Sequence, residues 1–523
     1  MYSNFIFKKE NLFVIFLFVF SLLFNQYYGN RGVFPVDSFS HFDTGFRILL
    51  GEHPFRDYWI ISGPLIDYIQ AIFFYLFGIN WQIYVLHASL LNAIVTIATF
   101  LFLRNFQLNI FYSLAYSILF SVLAYSSSGT PFVDHHSSFF SLLAIYSLIL
   151  AIKNEKGIYW TLFPIFFGLA FFSKQTPASY IIIGTIIILC VFSISNKKFK
   201  WMSYSFVSTF AFILFLILFG KYYKISLSSF FDQYFFYPQT IGELRLDNFQ
   251  FSYRGVIDHF KFIYIAFLPL LYINLKNIFF VKNYLKDNNF YYFLCIFVFS
   301  FSLIFHQLLT RNQTFIFFLI PILCAFSHIS LKGYKLNLKS PIYILIISLC
   351  LFVTIKYHLR FNEGRKFHEL IYVNFDLSVK GNEIDTKLSG LKWITPEFSE
   401  NPNNEIILIK EAKSYLAKES RNKMVLTNYS IFSAILNERL HSPTRWHLPD
   451  GTDYPLNDSK YFNSYKNFFI NILRKNDIKV IYNFNLSSDL VIYNYIDKAC
   501  FDETKINEIF TKYEIINCKE ING

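Results

Sequence analysis

The chain has 523 residues, of which 54% are hydrophobic and only 16% charged. A soluble domain of ordinary composition carries about 25% charged residues, so a wholly soluble protein is excluded. The formal charge of +12 admits a nucleic-acid binder, but basic loops on one side of a membrane give the same sum, and the positions of the charges decide between the two.

The charge deficit is confined to residues 11–357, a succession of apolar runs; residues 358–523 read as an ordinary polar domain. The first run follows Lys8 and Lys9 and precedes NQYYGNRG, with no small-residue cleavage site, so it reads as an uncleaved helix. A bilayer-crossing helix needs about 20 mostly apolar residues. Runs near 10–28, 82–103, 108–126, 135–152, 158–173, 176–195, 200–220, 261–280, 289–309, 313–331 and 340–357 meet or approach that length and predict about eleven crossings. Residues 64–79 hold Asp67 and end at Gly78, which suits an interfacial or re-entrant helix.

With the N-terminus in the cytoplasm, alternate connections should be short and basic. They are: Arg104; Lys153 to Lys156; NKKFK at 196–200; VKNYLKD at 281–287; and LKGYKLNLK at 331–339. The opposite side receives a first loop, 29–63, a long loop, 221–260, and the tail. The expected organisation is a multi-span α-helical membrane domain, 1–357, followed by an extracytoplasmic α/β domain, 358–523. Nucleic-acid binding is then unnecessary to explain the charge.

The outer connections also collect the polar residues. The first loop brings Asp37, His41, Asp43, Arg47, Glu52, Arg56 and Asp57; the second brings Asp134, His135 and His136. Lys174 and Gln175 form a tight third turn. The long loop adds Arg245 and Arg254, and the next span pair ends at His306, Arg311 and Asn312. Ionisable groups at membrane depth are costly and mark a functional site by default. Individually, Arg311 suits an interfacial anchor, Asp134 a helix cap with two solvated histidines after it, and Asp43 a solvated position pointing away from Asp37. Their convergence on one side argues for a polar site at the outer membrane surface. His135 and His136 in sequence are a weak metal signal, and a divalent cation is the one cofactor they bring into consideration.

The first loop reads Asp37-Ser38-Phe39, a helix around Phe46 to Leu50, Gly51-Glu52-His53-Pro54-Phe55-Arg56-Asp57-Tyr58, then Gly63-Pro64-Leu65. It resembles the first extracytoplasmic loop of the GT-C superfamily of integral-membrane glycosyltransferases, of the dolichyl-phosphate-mannose-protein mannosyltransferase and aminoarabinose transferase type. GLAFFSKQTPASY at 168–180 is similar to a later step in the same proteins, and the likeness spans roughly residues 10–330. It implies transfer of a sugar from a polyprenyl-phosphate carrier to a glycan, lipid or protein acceptor on the periplasmic face of a bacterial inner membrane. By motif position Asp37 is the residue acting on the acceptor, where a carboxylate can take the hydroxyl proton. Asp57 and Asp134 are further catalytic candidates. His135, Lys174, Gln175, Arg245, Arg254 and Arg311 are candidates for binding substrate or the departing phosphate. Two departures stand out: Ser38 replaces the usual acid, and Ser62-Gly63 replaces a common lysine.

In the tail, EIILIK (405–410), KMVLTN (423–428) and KVIYNF (479–484) read as strands, and 410–420 and 463–476 as amphipathic helices. The loop 440–456 holds Arg445, Trp446, His447, Asp450 and Asp453, which suits either a packed turn or a sugar contact. Cys500 and Cys518 can pair outside a reducing cytosol. A polysaccharide polymerase or ligase would use similar chemistry. A lipid or solute transporter would instead place charges at mid-helix, with broken spans in paired halves, and neither is visible here.

Overall fold

The computed structural model describes residues 2–311, 315–332, 340–484, 492–516, 518 and 521. Asn312 and residues 333–339 of the last basic loop lie outside them. The helices that follow are α1 (Tyr2–Gly29), α2 (Pro35–Leu49), α3 (Pro64–Phe77), α4 (Trp81–Asn105), α5 (Ile110–Leu123), α6 (Val133–Asn154), α7 (Gly157–Ser173), α8 (Gln175–Asn196) and α9 (Trp201–Tyr222). Lys261–Phe280, Asn288–Leu309, Leu319–Lys332 and Pro341–Tyr357 complete the apolar set. Among the described residues nine helices are long and apolar enough to cross a membrane, and α3, α7 and Leu319–Lys332 are shorter apolar helices. Each run read as a crossing coincides with a helix. Two of them, α7 with 17 residues and Leu319–Lys332 with 14, fall short of a full hydrocarbon thickness, because each residue adds only about 1.5 Å.

The chain divides into two compact units. The first comprises residues 1–30, 85–215 and 248–372. Its most enclosed helix is α6, with 89% of its apolar window buried, whereas α9 has 11% buried. The α6 sequence explains this: Ser137, Ser138, Ser141, Ala144, Ser147 and Ala151 are all buried, and small residues let helices approach where lipid supplies no hydrophobic drive between them. Close approach also fixes the end of α1. A Cβ on Gly29 would lie 2.6 Å from the Gly129 carbonyl oxygen, and Gly129 itself has φ +77°. Only glycine is tolerated at both places.

The second unit comprises residues 31–84, 216–247 and 373–523. Both α2 and α3 begin with proline in the first turn, where its fixed φ suits a helix and its missing N–H is not needed. Gly63, with φ +72°, delivers the chain into Pro64. The helix α2 starts at Pro35, well before the segment 46–50 expected from the motif, and this puts Asp37 in its first turn.

The tail forms a four-stranded sheet. Lys423–Thr427 runs parallel to Val480–Phe484, with Val425 opposite Tyr482. Phe510–Ile515 pairs antiparallel to that strand and then to Phe501–Lys505. The helix Phe462–Lys475 is the crossover that a parallel pair requires. The expected strands at 423–428 and 479–484 are present. The expected strand 405–410 is instead part of a helix, Pro402–Lys418. Its start signals outweigh the apolar run: the Asn401 side chain accepts from the Asn404 amide, Pro402 follows, and Ile406, Ile409, Ala412 and Leu416 are buried at helical spacing. Cys500 and Cys518 form a disulfide.

Candidate functional site

In the second unit the first-loop acids separate by environment. Asp37 is half-buried in the first turn of α2. Asp57, Asp43 and Glu52 are tied to named partners. Asp57 Oδ2 accepts from the His53 amide at 2.9 Å and pairs with Arg56 at 2.6 Å, while Oδ1 meets Lys475 Nζ at 2.8 Å. Burial raises the Asp57 pKa, but Arg56 and Lys475 outweigh it and hold the carboxyl below the usual range. Asp57 thus braces the turn that carries Gly51 to Tyr58. Asp43 is not solvated as expected. It is 6% exposed, and its Oδ1 accepts from the Ala434 amide at 3.0 Å. Arg47, buried on α2, pairs with Glu52 at 2.6 Å and donates to the Ser442 carbonyl at 2.8 Å.

A second network in this unit was not anticipated. Asp67 of α3 is fully buried. Its Oδ1 lies 2.7 Å from His41 Nδ1 and 2.7 Å from Thr44 Oγ1. Its Oδ2 accepts from Tyr58 at 3.2 Å and from Arg445 Nη2 at 3.1 Å. Burial and the Arg445 guanidinium push the His41 imidazole down to about 4, so the ring is neutral at pH 7 and donates Nδ1–H to the carboxylate. The signal was an acid within the apolar run 64–79; nothing local pointed to Arg445 as its partner, 378 residues away. The loop around Arg445 is a packed turn, with Arg445, His447 and Asp453 all buried.

In the first unit Asp134, Lys174 and His306 come together from the start of α6, the α7–α8 junction and the end of Asn288–Leu309. Asp134 Oδ2 accepts from Lys174 Nζ at 2.7 Å, and Oδ1 lies 2.8 Å from His306 Nε2. Lys174 is the non-helical residue between α7 and α8, which frees its ammonium to turn onto Asp134. The two histidines after Asp134 are buried, not solvated. His135 Nε2 lies 3.0 Å from Ser127 Oγ, and His136 lies between Tyr125 and His87, at 2.5 and 2.9 Å. Among the described residues no group of three metal-ligating side chains is set to hold an ion.

The remaining candidate cations are less enclosed. Gln175 opens α8. Arg245 is half-exposed in the last turn of the helix Tyr237–Asp247. Arg254 and Arg311 are exposed.

Residues 53–219 match the model of the dolichyl-phosphate-mannose-protein mannosyltransferase family. Among solved structures, ArnT from Cupriavidus metallidurans in the apo state is similar with a TM-score of 0.50 and 11% identity, covering 95% of this chain and 97% of that one. The same protein bound to undecaprenyl phosphate gives a TM-score of 0.47 and 10% identity over the same shares. No curated protein matches by sequence. The chain is thus an integral membrane protein with an ArnT-like fold, and its residues 53–219 are similar to the dolichyl-phosphate-mannose-protein mannosyltransferase family.

Proposed function

We propose that the protein moves a sugar from a polyprenyl-phosphate carrier to an acceptor on the periplasmic face of a bacterial inner membrane. The family match over residues 53–219 is the observation that carries this reading. The solved ArnT complex with undecaprenyl phosphate names the class of carrier to test first.

Asp37 is the base. It occupies the first turn of α2, where the helix favours an anionic side chain, and it is only half-buried, so an acceptor hydroxyl can reach it. Asp57 and Asp43 are held by Arg56, Lys475 and the Ala434 amide and act as braces. Asp37 takes the hydroxyl proton as the oxygen attacks the anomeric carbon. The bond to the carrier phosphate breaks in the same displacement, with inversion. Polyprenyl phosphate leaves as an anion, and a cation must meet its developing charge. Lys174, Arg245, Arg254 and Arg311 are the groups to test, with His135 and Gln175 as neutral donors. Asp134 holds Lys174 and His306, which suits a positioning role for this carboxylate better than a proton-accepting one.

The test is mass spectrometry of lipid-linked sugars and envelope glycans in cells with and without the gene. One polyprenyl-phosphate sugar should accumulate in its absence while one glycan, lipid or protein loses that sugar. Unchanged profiles together with altered solute uptake would overturn the reading in favour of transport.

A further inference from the structure

The C-terminal region is expected from its sequence to be an appended domain. Within the second unit, however, one of its stretches grips the first loop at successive points. The Ala434 amide binds Asp43 on α2. Ser442 O accepts from Arg47, also on α2, at 2.8 Å. Pro443 O accepts from the Trp59 amide at 2.7 Å. Arg445 then reaches furthest in. Its Nη2 donates to Ser62 O at 2.6 Å and to Asp67 Oδ2 at 3.1 Å, and its side chain is 1% exposed.

Asp67 passes the constraint back to α2. Its other oxygen holds His41 and Thr44. His41 lies four residues after Asp37, hence on the same helix face one turn on. A buried carboxylate with a guanidinium on one side and an imidazole on the other is not the cheapest way to fill a core; well-packed apolar groups are often as stable or more so. What the ionic arrangement adds is direction. It fixes the rotation of α2 about its axis, and therefore where Asp37 points.

We infer that Arg445 is a positioning residue for the transfer reaction, acting through Asp67 and His41 to aim the face of α2 that carries Asp37. The inference rests on the reading of Asp37 as the base. It predicts that turnover depends on the Arg445–Asp67 ion pair separately from stability.

The experiment uses the full-length protein in detergent or vesicles. The donor is the polyprenyl-phosphate-sugar fraction purified from cells lacking the gene, and released polyprenyl phosphate is measured. Arg445→Gln leaves the buried Asp67 carboxylate without its guanidinium, and should lower both Tm and kcat. The double variant Asp67→Asn with Arg445→Gln removes both charges. Its Tm should return to within a few degrees of the parent while kcat stays at least tenfold down, with KM for the lipid donor changed less than about twofold. Arg445→Lys keeps a cation but cannot hold Ser62 O and Asp67 together; it should fold normally with kcat reduced severalfold at unchanged KM. Recovery of kcat in step with Tm in the double variant, or parental kcat in Arg445→Lys, would overturn the inference. Asp37→Asn is run alongside. If it retains transfer, the reading of Asp37 fails; if it is inactive while the Arg445 variants turn over normally, only the positioning role fails.

Discussion

The helix Pro402–Lys418 carries a buried carboxylate that makes a quantitative prediction. Glu405 Oε2 accepts from Trp393 Nε1 at 2.8 Å and Thr395 Oγ1 at 2.9 Å, and Oε1 accepts from Tyr429 at 2.7 Å. All three donors are neutral. Burial therefore dominates and raises the carboxyl from 4.5 to about 7, although the hydrogen bonds act the other way. The folded state holds the proton more tightly than the unfolded chain does. The associated stability is fully present below pH 4.5 and is lost as pH rises through about 7. A displacement of that size corresponds to about 3 kcal/mol, and for a region of 150–250 residues to a melting shift of roughly 6–12 °C. The assay is thermal unfolding of the full-length protein at pH 4.5 and pH 8. Glu405→Gln stays neutral throughout, so its melting temperature should fall less between these two pH values, by an amount of that order. If the two proteins lose stability in parallel, the carboxyl is ionised across the range and the reasoning about its burial is wrong.

Asp453 is similarly placed. Burial raises it from 3.8 to about 8 despite Arg445, so Asp453→Asn should remove a further pH-dependent loss of stability between roughly pH 4 and pH 8, read in the same melting experiment. In the first unit, Lys174→Met leaves Asp134 buried with only His306 beside it. It should destabilise by about 3 kcal/mol, the low end for breaking a buried pair because Lys174 is partly exposed. Asp134→Leu in the same chain should restore most of the lost melting temperature. The Cys500–Cys518 bridge closes an 18-residue separation, for which chain entropy gives about 3 kcal/mol. Reduction, or Cys500→Ser, should lower the melting of the tail accordingly. Peptide mass spectrometry after denaturation with a thiol probe should find neither cysteine labelled before reductant.

Much of this architecture was legible because a membrane imposes its own grammar. Apolar length located the long helices, nine of which among the described residues are long enough to cross a membrane, and the alternation of VKNYLKD and NKKFK with acid-bearing loops suggested an order across the bilayer. The first-loop motif pointed to the family through Gly51, Pro54, Asp57 and Pro64. What local pattern could not supply was long-range pairing. Asp43 read as solvated because nothing near it in sequence reveals that the Ala434 amide covers it. Asp67 was visible as an anomaly in an apolar run, but its partners come from α2 and from residue 445. The apolar run EIILIK satisfies a strand and a buried helix equally; Asn401 and Pro402 decided for the helix. Asp134, Lys174 and His306 were each visible at span ends. That the three form one cluster followed only from packing.

The most direct test of the account is to return either the parent gene or Asp37→Asn to cells that lack it, confirm equal membrane levels, and quantify polyprenyl-phosphate sugars. The parent gene should clear the accumulated lipid-linked sugar, and Asp37→Asn, folded and inserted, should leave it in place. Clearance by Asp37→Asn at the parent rate would contradict the account.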